Sequence, residues 1–153
     1  MAASTSAGET ASTAFRDGLV LKMNDLFNNK NFKIIDEVLS DDCVNKGPLG
    51  QTYGVLEFKH LFCLPLFNAF PDLTFVCHEV ICEVPSVVMR WTFTGTHKGE
   101  FRGYKPTNQK VCWSGVVVNR VNEVGLVYEM QYYFDSRPLY NQLANVPAAA
   151  ASK

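Results

Sequence analysis

The chain has little charge and few metal-binding residues, and each shortage excludes something. Charged residues make up 19% of its 153 residues, and 15 acidic against 14 basic side chains leave a formal net charge of -1. A near-neutral chain carries no basic footprint for nucleic acid or for an anionic membrane surface. No apolar run reaches the length of a membrane-spanning helix. The opening MAASTSAGETASTAF has no basic start and no apolar core, so it is not read as a secretory signal, and it lacks the arginines of a transit peptide. Residues 1–13 read as a disordered leader and 146–153 as a flexible tail, flanking one domain over 14–145.

Three histidines, His60, His78 and His97, are scattered, so a zinc site lacks partners, and neither metal nor cofactor is expected. Five cysteines (Cys43, Cys63, Cys77, Cys82, Cys112) form no CxxC pair, and their number is odd. Each lies in or beside an apolar run, which predicts reduced, buried thiols and favours the cytosol.

Hydrophobic residues, at 47%, are enough for a single core. Apolar residues at Phe15, Leu19, Met23, Leu26 and Phe27 have helical spacing, with Ser12 or Thr13 as N-cap and Asn28-Asn29 as the stop. A short helix follows over Phe32–Leu39, then a brief strand over Asp42–Asn45. A third helix over Gly54–Asn68 points Val55, Phe58, Leu61, Phe62, Leu66 and Phe67 inward, with Pro65 near its end. From Leu73 the texture becomes β-rich, with strands over Leu73–Glu83, Ser86–His97, Lys110–Asn122 and Leu126–Asp135. Val84-Pro85-Ser86 and Asn122–Gly125 are the tight connections. Ser136–Leu143 closes the chain as a helix. Helices first and an antiparallel meander after make an α+β domain.

The stretch Arg90–Lys110 (RWTFTGTHKGEFRGYKPTNQK) organises this plan. Trp91, Phe93 and His97 share one face of its strand, and Arg90, Thr92, Thr94 and Thr96 share the other. Gly95, Gly99 and Gly103 break the strand into a working loop before it restarts at Val111. Arg90 is expected to pair with an acid on the outer face. On the last strand Glu129, Gln131, Tyr133 and Asp135 share one parity, while Tyr128, Met130, Tyr132 and Phe134 share the other. The polar set either lines a pocket or faces water, and periodicity alone does not choose.

GTHKGEF followed by KPTNQKV resembles the GTHxGxFxGxxPTGxxV signature of SnoaL-like polyketide (ester) cyclases. The likeness extends from FNAFPDLTF through RWT to FDSRPLYNQL, roughly the last half of the chain. It implies a nuclear transport factor 2-like cone, in which a curved antiparallel sheet and N-terminal helices enclose a pocket, and pairing of two copies through the outer face of the sheet. The family's closing pattern, GKIVEEWxxxD, sets Gly125 on the glycine, Glu129 on a glutamate, Gln131 on the tryptophan and Asp135 on the aspartate. This implies Asp135 as a general acid/base, assisted by Gln131 and His97, because an apolar pocket lifts a carboxylate toward neutral pH. Val117 stands where many members have histidine, and PTN replaces PTG.

Trp91, Phe93 and Trp113 would form an aromatic wall, and Val117, Tyr133, Glu129 and Phe62 would complete the substrate-binding set. His97 has a second expected role, pinning the GEFRGYKP loop, and Asp135 a second as cap of the last helix. The implied activity is a cofactor-free cyclase or isomerase moving protons on an apolar carbonyl-bearing metabolite such as a polyketide or terpenoid. Two alternatives stand beside it. One is a non-catalytic ligand-binding or dimeric interaction module. The other is an epoxide hydrolase-like enzyme built on an Asp–Arg–Asp set drawing on Arg90, Arg102 or Arg120.

Overall fold

The computed structural model describes residues 4–145, and the expected tail at 146–153 lies outside them. The first helix, α1, covers Ser4–Asn28, so it takes in residues expected as leader, and Ser12 and Thr13 are within it rather than capping it. Leu19, Met23, Leu26 and Phe27 are buried along one stripe, as their spacing requires. Asn28 ends the helix with a bridge to the sheet: its Nδ2 donates to the Phe75 carbonyl at 3.1 Å, and its Oδ1 accepts from the Phe75 N–H at 2.6 Å. Helix α2 (Lys33–Val38) buries Ile34, Ile35 and Val38.

Strand β1 (Leu39–Lys46) is longer than the expected Asp42–Asn45, and β2 (Thr52–Tyr53) pairs with it across the KGPLG turn. The expected third helix is three joined pieces: α3 (Val55–Glu57), a π-helical turn (Phe58–Cys63) and α4 (Leu64–Ala69). A π-turn carries more residues per turn than an α-helix and rotates the buried stripe. Cys63 is therefore fully buried, whereas Leu61, expected to point inward, is 61% exposed. Pro65 falls just after the junction of the π-turn and α4, inside the continuous helical run, where its missing N–H interrupts the bonding ladder.

Strands β3 (Thr74–Glu83), β4 (Ser86–Thr96), β5 (Lys110–Val121) and β6 (Val127–Tyr133) form the antiparallel meander, and α5 (Ser136–Leu143) closes the chain. The meander is part of a curved, unclosed six-stranded sheet in the order β2-β1-β6-β5-β4-β3, in which β1 lies parallel to β6. Strand β4 continues through Gly95 and ends at Thr96, one residue short of the expected Ser86–His97.

Burial alternates along the strands. On β4, Val87, Met89, Trp91 and Phe93 are buried while Arg90 is exposed. Arg90 pairs with Glu79 at 3.3 Å on the outer face, as expected. Gly115 lies opposite Trp91. A Cβ there would come within 2.7 Å of the Trp91 ring and of the Tyr133 carbonyl oxygen, so glycine is what leaves room for the indole against β5.

All five cysteines are free. Cys43 and Cys63 are buried, and burial pushes the Cys43 thiol up to about 12. Cys112 departs from the expectation of buried thiols, because its parity on β5 sends it outward with Lys110 and Ser114.

Candidate functional site

The concave face of the sheet and the helices across it enclose three adjoining chambers. The inner one is lined by Met23, Phe27, Met89, Trp91, Phe93, Val117, Asn119, Met130 and Tyr132, among others. The middle one adds Phe62, Phe101, Arg102, Trp113, Phe134 and Tyr140. The outer one passes Phe62, Tyr132 and Phe134 to reach Asn45, Gln51, Tyr53 and Arg102. Each has about 20 Å³ of free space, room for a single water, so a larger guest must displace side chains. Met23, Met89 and Met130 in the inner chamber are suited to that, because unbranched thioethers repack at low cost.

The aromatic residues singled out in the sequence meet here. Trp91 and Phe93 have ring centroids 4.9 Å apart, Phe93 and Trp113 5.3 Å, and Trp91 and Phe134 6.1 Å. Phe62 stacks on Tyr132 at 5.8 Å across the chamber. Trp91 and Phe93 thus line both the inner and the middle chamber, Val117 the inner one, and Trp113 and Phe62 the middle one.

Two polar atoms stand out against these apolar walls. The Trp91 indole N–H is buried and has no hydrogen-bond partner among the described residues. Tyr132 is buried, and its hydroxyl donates only to the Met130 Sδ, at 3.8 Å, a weak acceptor. Burial, reinforced by Cys63 and Cys43, raises the Tyr132 phenol well above its ordinary range, so it stays protonated as a donor.

The residues expected to carry acid/base chemistry lie elsewhere. Asp135 is exposed and its carboxylate accepts from the Arg137 N–H at 3.0 Å, the N-cap of α5. Glu129 pairs with Lys46 at 2.6 Å. Gln131 and Tyr133 follow the same outward parity, and Tyr133 is 56% exposed. The reason is the neighbouring parity: Met130 and Tyr132 must be buried, and a strand cannot turn both sets inward.

His97 is buried but lines none of the three chambers. It stacks on Phe70 at 5.5 Å, behind the aromatic wall. Its backbone exchanges hydrogen bonds with the far end of its loop, His97 N–H to the Gln109 carbonyl at 3.0 Å and Asn108 N–H to the His97 carbonyl at 2.9 Å. Its Nδ1 lies 3.3 Å from the Thr107 hydroxyl, and its Nε2 has no partner among the described residues. Burial holds its pKa below the usual imidazole range, partly offset by the nearby Gly99 backbone. These contacts fit the loop-pinning role. Asn108, where the signature has glycine, sits at φ 57°, in the left-handed region that asparagine tolerates.

The outer chamber is lined by Asn45, which the sequence did not single out, and by Arg102, which it named only for the Asp–Arg–Asp alternative. Asn45 was hidden in a short β segment, and Arg102 owes its place to the loop's left-handed turn, with φ 51° at Arg102 and 85° at Gly103. An Asp–Arg–Asp set is not assembled: among the described residues no carboxylate lines the chambers, Arg90 pairs with Glu79 outside, and Arg120 donates to Ser86 at 2.7 Å. Among the described residues no group of histidine, cysteine or acidic side chains is placed to hold a metal ion, and no helix is long and apolar enough to cross a membrane.

The comparisons agree with this architecture. AclR from Streptomyces galilaeus, provisionally assigned as a hydroxylase, superposes with a TM-score of 0.79 at 30% identity, covering 90% of this chain and 86% of its own. A structure from Jannaschia sp. CCS1, provisionally assigned as a SnoaL-like polyketide cyclase, gives 0.72 at 25% identity over 84% of this chain and 92% of its own. IdmH from Streptomyces antibioticus, at 20% identity, shares the fold with a TM-score of 0.72 over 84% of this chain and 98% of its own. No curated protein matches the sequence. The sequence matches the SnoaL-like polyketide cyclase family over residues 18–143, and with the nuclear transport factor 2-like cone in place the chain belongs to that family.

Proposed function

We propose that the protein binds an apolar, carbonyl-bearing small molecule inside the cone and holds its carbonyl by hydrogen bonds, without using Asp135, Gln131 or Glu129 as acid/base groups. The observation that carries this reading is the buried Trp91 N–H, a donor without an acceptor among the described residues, on a side chain that lines two of the mostly apolar chambers. An unmade buried hydrogen bond costs about 1–3 kcal/mol, and a ligand carbonyl would recover it. The protonated Tyr132 phenol is the second donor available on the same wall. Family membership favours a second reading, cyclase- or isomerase-type turnover of that ligand. In it the same two donors hold the oxygen on which negative charge develops in the reaction.

Calorimetric titration with polycyclic ketones and quinones tests the first reading, and Trp91→Phe should weaken the best ligand about tenfold. Unchanged affinity in Trp91→Phe would remove the indole as anchor. For turnover, Asp135→Asn should leave the rate unchanged, and a product one oxygen atom heavier would move the reaction to the hydroxylase class assigned to AclR.

Pairing of two copies through the sheet belongs to the same proposal. The cross-strand row Ile81, Val88, Val118 and Gln131 is mostly apolar and on the outer face, with Ile81 60% exposed. Light scattering should report a dimer, and Val118→Lys a monomer.

A further inference from the structure

Resting on the reading that the cone binds an apolar ligand, the surface beside the inner chamber says how a ring reaches it. Between α1, α2 and the turn that joins β5 to β6 runs an open groove with about 160 Å³ of free space, lined by Phe15, Gly18, Leu19, Lys22, Glu37 and Val38 among others. Free space of about 150 Å³ walled by apolar side chains takes up a benzene-sized ring, whereas each chamber of the cone has room for one water. Leu19 and Val38 line both the groove and the inner chamber, so the two spaces adjoin across these side chains.

Gly18 gives the groove its depth. It lies inside α1, where glycine weakens a helix relative to alanine. Its backbone is outside the left-handed region, and a Cβ built on it would meet nothing within 4 Å, so neither conformation nor a close neighbour requires glycine here. What a side chain at this position would occupy is the groove. Lys22 of α1 and Glu37 of α2 pair across it at 3.5 Å, both partly exposed, a link that parts at little cost. Because these two rim charges compensate each other, the groove suits a neutral ring rather than an ionic group.

We infer that this groove is a docking site for a neutral six-membered carbon ring and the entry to the cone: the ring settles over Gly18 and passes inward between Leu19 and Val38 as α1 and α2 part.

The test is a methyl-NMR titration of the intact protein with toluene. The Ala14 methyl reports on the groove alone, and the Met89 and Met130 methyls report on the inner chamber alone. All three should respond in the wild type. Gly18→Leu, whose side chain fills the groove, should weaken the Ala14 response about tenfold and slow exchange at Met89 and Met130 by a similar factor. This variant should unfold at a higher temperature than the wild type, since a better helix former replaces glycine without a clash, so a lost response is not a lost fold. If it is less stable instead, Ala14→Phe narrows the groove from an exposed position and is read at the same two methionines. Unchanged exchange at Met89 and Met130 in both variants overturns entry through the groove and leaves the cone reading standing. A wild-type response at the methionines with none at Ala14 overturns it as well. No response at the methionines at any toluene concentration overturns both this inference and the cone reading on which it rests.

Discussion

The two faces of β6 read very differently as sequence and as structure. One carries Glu129, Gln131 and Tyr133 and leads to Asp135, a row of polar groups of the kind that catalytic sites use. The other carries Met130 and Tyr132 and leads to Phe134, a row that looks like packing. In the fold the first row is outside, spent on an ion pair with Lys46 and on the cap of α5. The second row lines the cone. Chemical richness along a strand is therefore a poor guide to which face encloses a site. The larger free-energy term decides: burying a side chain such as Tyr132 or Met130 is worth about 1.5–3 kcal/mol, against at most about 1 kcal/mol for an exposed ion pair.

The widest separation between the faces should come from adjacent tyrosines. Tyr132→Ala should destabilise by about 3 kcal/mol in denaturant unfolding, whereas Tyr133→Ala should stay within about 0.5 kcal/mol. Similar losses for the two would mean that β6 does not present Tyr132 to the interior. Gly115→Ala should cost about 2 kcal/mol, because the new methyl meets the Trp91 ring, the Tyr133 carbonyl and Phe134. It should also change the near-ultraviolet circular dichroism of the indole.

Asp135→Ala should cost about 1 kcal/mol through the lost cap, and Asp135→Asn much less, because asparagine caps as well. If Asp135→Asn instead abolishes turnover of a ligand while stability holds, the acid/base role of the outer row returns. At the smallest scale, Glu129→Gln should change stability by at most about 0.5 kcal/mol, and the difference should shrink in high salt.

The loop that closes the chambers has its own test. His97 has a folded pKa below its unfolded value, so between those values the unfolded chain binds more protons than the folded one. This contribution to stability is fully present above the ordinary imidazole pKa, near 6.5, and falls as pH drops through the window below it. A thermal-shift series across that range should show a decline on acidification that His97→Phe removes. A stability that is flat in the wild type would contradict the burial of His97.

Much of this fold was legible along the chain. The α1 stripe, the four long strands, the hairpin turns and the closing helix each follow from a local period or from turn chemistry, and the GTH…PT stretch adds the family. The aromatic wall was legible as well, since Trp91 and Phe93 alternate on one strand and Trp113 pairs opposite Phe93. Less was legible where neighbours in space decide. Leu61 followed an α-helical period that the π-turn breaks. Strand β1 extends further than its own residues indicate because it has β6 as a parallel neighbour.

The sequence alone, then, determined the elements, the alternation of each strand and the chemical types available, because these depend on local sterics and on period. It could not determine which parity of β6 faces inward, that Asn45 and Arg102 share a chamber, or that the Trp91 N–H lacks a partner. Those depend on the direction in which the sheet curves and on which distant residues then meet, and both are settled only when the whole core closes.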